Sequence, residues 1–89
     1  MEITSINVKM VKDEDPVKAY CSVIIDNAIC IRKIRVLEKG DQHCVFMPSM
    51  KGKDGKYADV CHPINQVARQ KLVTSILNTY MAQLKAEAI

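Results

Sequence analysis

The chain has 89 residues, of which 48% are apolar and 26% charged, the balance of one folded domain rather than a disordered segment. Thirteen Lys and Arg against ten Asp and Glu give a net charge of +3, which permits a nucleic-acid partner but is far from a polybasic tail. Apolar runs never exceed four residues, and the polar, acidic start MEITSINVKM lacks the order of a secretion signal, so a cytoplasmic protein with no membrane partner is expected.

Strand signals fill the first two-thirds. Ile6, Val8 and Met10 alternate with Asn7 and Lys9, the period of a half-buried strand. Lys12 to Pro16 is a charged, proline-ended break. A second strand is predicted from Val17 to Ile25, with Ala19, Cys21, Val23 and Ile25 on one face. Asp26-Asn27 predicts a two-residue hairpin turn, since both residue types tolerate positive φ. That register sets Ile25 opposite Ala28, Val23 opposite Cys30 and Cys21 opposite Arg32, so a Cys21–Cys30 disulfide is disfavoured. The third strand runs from Ala28 to Leu37, and strict alternation sends Arg32 to one face and Lys33 with Arg35 to the other. That basic cluster reads equally as a dimer or edge feature and as a binding surface. Lys39-Gly40-Asp41 makes the next turn, His43 to Met47 a short fourth strand, and Tyr57 to Cys61 a fifth.

Between the last two strands lies Lys51-Gly52-Lys53-Asp54-Gly55-Lys56, a basic loop able to track a phosphate backbone. It lacks Walker spacing, and a solvated hairpin loop is the plainer reading. Asn65 is a good helix cap, and from Gln66 to Ala86 there is neither Gly nor Pro. Leu72, Val73, Ile76, Leu77, Tyr80 and Leu84 recur at helical spacing, so an amphipathic helix of roughly 30 Å is predicted across one sheet face.

Metal and catalytic readings are weak. The four cysteines (Cys21, Cys30, Cys44, Cys61) contain no C-x-x-C pair and read as reduced, half-buried strand residues. His43-Cys44 and Cys61-His62 hold zinc-ligand types, but adjacent strand residues point to opposite faces and do not converge on one ion. The same geometry disfavours a Cys-His nucleophile pair, so neither an enzyme nor, with it, a small-molecule substrate is expected. With Tyr20, Phe46, Tyr57 and Tyr80 as the aromatics, the sequence displays no dense base-stacking platform.

The ordered set of Ile34-Arg35-Val36, Met47-Pro48-Ser49, the lysine and glycine loop, Asp59, His62-Pro63-Ile64-Asn65 and the amphipathic helix resembles the SpoVG family, stage V sporulation protein G, over nearly the whole chain. The resemblance implies a small bacterial cytoplasmic regulator that associates as a homodimer. It also implies binding of DNA and RNA without a cofactor, in processes linked to sporulation, septation and gene expression. Within the family the start of the C-terminal helix is tied to nucleic-acid contact, and here that segment is Gln66 to Lys71. The chain departs from members with small hydroxyl residues after the asparagine, having Gln66-Val67-Ala68 instead.

The helix start has the chemistry for that role. Its free amides and partial positive charge suit a phosphate, Arg69 and Lys71 add full charges, and Gln66 and Gln70 can reach base edges. Lys71 points away from the apolar stripe. Arg69 projects on the same side as that stripe, so it either contacts nucleic acid or pairs with a carboxylate such as Asp59. The expectation is therefore an α+β fold: a four- to five-stranded, mainly antiparallel sheet with one long C-terminal helix, dimeric. One domain spans residues 1–86, with a frayed tail at 87–89. The expected function is binding of DNA or RNA through Gln66, Arg69, Gln70 and Lys71, with Lys51, Lys53 and Lys56 as further phosphate contacts. A non-catalytic protein-interaction adaptor is the alternative.

Overall fold

The computed structural model of the protein describes residues 1–12 and 16–87. Asp13, Glu14 and Asp15 of the expected charged break, and residues 88–89 of the expected tail, lie outside the described residues. Six strands and one helix follow in order: β1 (Ile3–Met10), β2 (Val17–Ile25), β3 (Ile29–Lys39), β4 (Gln42–Phe46), β5 (Ser49–Lys51), β6 (Tyr57–Asp59) and α1 (Gln66–Glu87). The first four form an antiparallel meander in the order β1-β2-β3-β4, and β5 and β6 form a separate two-stranded sheet. The fold is α+β as expected, with the expected four strands and C-terminal helix; β5 was not legible as a strand.

The core lies between the helix and one face of the four-stranded sheet. Val8, Ala19, Cys21, Val23, Ile34 and Val36 from the strands meet Leu72, Ile76 and Tyr80 from α1, with Met47 closing one side. The alternation of apolar residues in β1 and β2 produces this face directly, because Ile6 pairs with Val23, Val8 with Cys21 and Met10 with Ala19. The helix packs on β1 and β4. Its stripe behaves as its spacing predicts, except that Leu84 is 39% exposed.

The β2–β3 register differs from expectation. Asp26 and Asn27 do take positive φ (53° and 52°), and the Ala28 N–H donates to the Ile25 carbonyl at 2.9 Å. Ile25 nonetheless pairs with Ile29, not Ala28, and Val23 with Ile31. The start of β1 binds the turn and takes part in its geometry. The Asp26 N–H donates to the Glu2 carbonyl (2.7 Å), the Glu2 N–H to Asp26 Oδ1 (2.8 Å), and the Asn27 N–H to Thr4 Oγ1 (3.1 Å). A turn clipped on its outer side is no longer governed by local hairpin preference alone.

A bulge then corrects the alternation in β3. Cys21 pairs with Ile34 while Val23 pairs with Ile31, so Ser22 opposes two residues, Arg32 and Lys33. Lys33 takes φ 63°, the left-handed region that a residue with a Cβ rarely occupies. The extra residue keeps Ile31, Ile34 and Val36 on the helix side despite their uneven spacing. It also overturns the expected split of the basic cluster: Arg32, Lys33 and Arg35 all face away from the helix. Nor do they guard an edge, since β3 is an interior strand.

The four cysteines form no disulfide with one another, and not all are half-buried strand residues. Cys30 is exposed, and Cys61 is half-buried after β6. Cys21 is buried, and burial pushes its thiol up to about 11. Among the described residues no helix is long and apolar enough to cross a membrane.

Asn65 caps the helix as its residue type predicts. Its Oδ1 accepts the Ala68 N–H at 2.7 Å, and its carbonyl accepts the Arg69 N–H at 3.1 Å. Asn65→Ala is expected to cost about 1 kcal/mol in thermal or urea unfolding, and Asn65→Asp to retain most of the stability. At the bulge, Lys33→Gly should raise the urea-unfolding free energy by up to about 1 kcal/mol, whereas Lys33→Val should lower it by about 1–2 kcal/mol. A loss of stability in Lys33→Gly would contradict the left-handed assignment.

Candidate nucleic-acid interface

Three groups of basic residues emerge from this fold. The first is the helix start. The first turn of α1 contains no acidic residue, so its dipole and its cations are not offset there. Gln66, Val67, Arg69, Gln70 and Lys71 are all exposed. With the Ala68 amide taken by Asn65, the amides of Gln66 and Val67 are the donors left facing outward.

The two cations of this turn have defined neighbours. Arg69 makes no ion pair with Asp59 among the described residues; its Nη2 donates to the Pro63 carbonyl at 3.3 Å. That bond ties the guanidinium to the connector leading into the helix while four of its five N–H donors remain available. Lys71 does not simply project into solvent. Its Nζ donates to the Met1 carbonyl at 2.7 Å, which holds the helix start against the beginning of β1. An ammonium carries three donors, so two remain.

The second group lies on the β5–β6 hairpin. The basic loop is a closed turn: the Gly52 N–H donates to the Lys56 carbonyl (2.8 Å), the Gly55 N–H to the Gly52 carbonyl (3.1 Å), and the Lys56 N–H to Asp54 Oδ1 (3.0 Å). Gly55 holds φ 83°, a value only glycine adopts without strain. Lys51, Lys53 and Lys56 thus share one exposed tip. Bonds within the turn hold this tip together, and none of the described hydrogen bonds or ion pairs joins these lysines to the helix-start residues.

The third group was the one least legible from sequence. The bulge sets Arg32, Lys33 and Arg35 on the outer sheet face. Lys9 from β1 and Lys39 at the end of β3 lie there too. Phe46 pairs across the strands with Arg35, and the Arg35 guanidinium and Lys39 ammonium each sit 5.8 Å from its ring centroid. Tyr20 and Tyr57 line a cleft with Lys33 and Arg35, so three of the four aromatics gather on this side. The sequence alone does not show that these rings share a side, although no direct contact joins the Phe46 and Tyr57 rings. The signal that could have found it is the spacing Ile31, Ile34, Val36: a step of three inside a strand marks an inserted residue.

The histidines are separated. His43 lies on the helix side, with its ring 5.3 Å from Tyr80 and its Nε2 3.8 Å from Glu38. His62 Nδ1 is 3.0 Å from the Pro63 carbonyl at the surface. Tyr80 has its pKa raised, first by burial and then by the charge of Glu38, with Lys18 opposing. Its protonated, apolar-packed ring serves the core.

One further surface is apolar. Ile29, Met50 and Val60 are 60%, 68% and 60% exposed, and they line a groove of about 500 Å³ between the start of β3 and the β5–β6 hairpin, with Arg32 and Lys33 of the third basic group also lining it.

Comparison with known proteins places these features in a family. The SpoVG family profile matches residues 1–82. A protein of Acetivibrio thermocellus named "Putative septation protein SpoVG" is 39% identical over 80 residues, covering 90% of this chain and 85% of its own length. Proteins of the same name from Clostridium beijerinckii and Archaeoglobus fulgidus are 35% identical over 89 residues and 39% identical over 82 residues. These alignments cover 100% and 92% of this chain, and 98% and 96% of the relatives. Extending over the whole sheet, the hairpin and most of the helix, these matches establish that the chain belongs to the SpoVG family.

Proposed function

We propose that this protein is a non-catalytic regulator that binds DNA or RNA as a homodimer, in a process tied to septation or sporulation. The process is suggested by the names its relatives carry. The binding surface is the start of α1. The observation that carries this reading is a helix N-terminus with no acidic residue in its first turn and with exposed Gln66, Arg69, Gln70 and Lys71 around it.

The chemistry supports that assignment. Outward-facing amides of Gln66 and Val67 meet phosphate oxygens, and the free donors of Arg69 and Lys71 add charge-assisted bonds. Gln66 and Gln70 supply paired donors and acceptors for base edges. The lysines of the β5–β6 tip extend the phosphate contacts. Most of the affinity comes from charge neutralisation, so it falls with salt.

The homodimer reading is supported by the apolar groove. A domain of this length buries only roughly 60% of its unfolded surface, and covering Ile29, Met50 and Val60 with a second copy adds buried area that one chain lacks. The same groove favours a second reading, in which the protein is an adaptor and the groove holds a different protein. The two readings differ in salt dependence, because an apolar interface does not weaken as counterions are added.

Fluorescence anisotropy with short labelled DNA and RNA duplexes across a salt series separates them. Wild type should bind with a steep salt dependence. Arg69→Ala and Lys71→Ala, each shown folded by circular dichroism, should weaken binding and each flatten the log–log salt slope by about 0.9. Absence of binding at low salt would leave the adaptor reading standing alone. Separately, light scattering should give wild type twice the 10.0 kDa chain mass, and Met50→Glu with Val60→Glu should return it to the monomer.

A further inference from the structure

We propose that the sheet face opposite the helix is a second binding surface, a platform for single-stranded nucleic acid. Lys9, Arg32 and Lys33 hold its phosphates there, and Phe46 and Tyr57 stack its bases. The inference takes its ligand class from the nucleic-acid reading above but uses a different surface and a different form of the polymer.

Charge is the first observation. Five cations, Lys9, Arg32, Lys33, Arg35 and Lys39, lie on the outward side of this sheet. No Asp or Glu occupies an outward position on its four described strands; Glu38, the strand carboxylate nearest to them, faces His43 on the helix side. A chain with a net charge of only +3 has thus placed five of its thirteen Lys and Arg on one face whose described strands carry no outward carboxylate. Such a face attracts a polyanion.

The second observation is the exposure of aromatic rings. Tyr57 is 71% exposed and Phe46 38% exposed, although both are large enough to fill a core position. Core packing explains neither ring. Between Tyr57, Tyr20, Lys33 and Arg35 a cleft of about 230 Å³ opens outward from the strands. Cations of an antiparallel sheet set beside exposed rings are what an unpaired strand requires, since its phosphates and base faces are accessible together. A duplex hides its base faces and leaves the rings without partners.

The third observation is the bulge. Lys33 holds a left-handed φ of 63° in the middle of an interior strand. Without the extra residue, Arg32 or Lys33 would face the helix. The strain is local, and its geometric result is the gathering of the cations.

Anisotropy with labelled twelve-nucleotide oligo(dT) and oligo(U), beside a twelve-pair duplex, tests the proposal. Wild type should bind the single strands. Tyr57→Ala should weaken that binding about tenfold. The double variant Arg32→Ala with Lys33→Gly should weaken it at least as much and flatten its salt slope, while circular dichroism remains that of wild type. Lys71→Ala should reduce duplex binding and spare the single strands. Single-strand affinity unchanged within twofold in both the Tyr57 and the double variant overturns the platform, whatever Lys71→Ala does. If Lys71→Ala has no effect on duplex binding, the helix-start reading fails and the platform stands. Sedimentation with phosphatidylglycerol vesicles is the remaining arm: if the double variant loses vesicle binding but keeps oligonucleotide binding, the face is a lipid surface and the proposal is overturned.

Discussion

A single helix stripe has to supply the apolar cover for a four-stranded sheet, and this constraint shapes the molecule. Leu72, Ile76 and Tyr80 are the fully committed side chains of α1, and they meet one face only. Burial at roughly 25 cal/mol per Å² of apolar surface gives little margin in so short a chain, so every strand must turn its apolar side the same way. Where simple alternation fails to deliver that, as between Ile31 and Ile34, the backbone inserts a residue and accepts a left-handed lysine. The buried part of one face is thereby kept apolar. The opposite face receives what remains, which is mostly cations, small polar residues and rings.

Much of this was legible in the residues. β1, β2 and β4 follow period-2 alternation, and α1 follows from the absence of Gly and Pro after an asparagine cap. The cap and the exposure of the helix-start residues were legible because both depend on local sequence. Register was less accessible. Asp26-Asn27 has the composition of a two-residue turn and the positive φ angles to match, yet Glu2 and Thr4 bond to it from more than twenty positions away. No local rule contains that contact. β5 was missed because three residues following Pro48 carry no periodicity.

The bulge separates the two kinds of information most clearly. Reading Arg32, Lys33 and Arg35 by alternation distributes them over both faces and dissolves the cluster. Tertiary burial of Ile34 and Val36 at zero exposure overrides that pattern and reassembles it. The aromatic side chains behave similarly: Phe46, Tyr20 and Tyr57 are scattered along the chain and meet only through strand pairing and the folding back of the hairpin. Site chemistry carried by consecutive residues is readable, whereas chemistry carried by strand register becomes visible only in three dimensions.

The bond from Lys71 Nζ to the Met1 carbonyl spans a sequence separation of 70 residues. During synthesis the first strand leaves the ribosome long before the start of α1 is made, so the sheet face that the helix covers waits uncovered through much of translation. Hairpins β1–β2 and β2–β3 have time to form, but their apolar side stays wet until the last quarter of the chain emerges. The nascent meander is therefore the stage of this protein's life most exposed to aggregation, and the late arrival of one helix ends it.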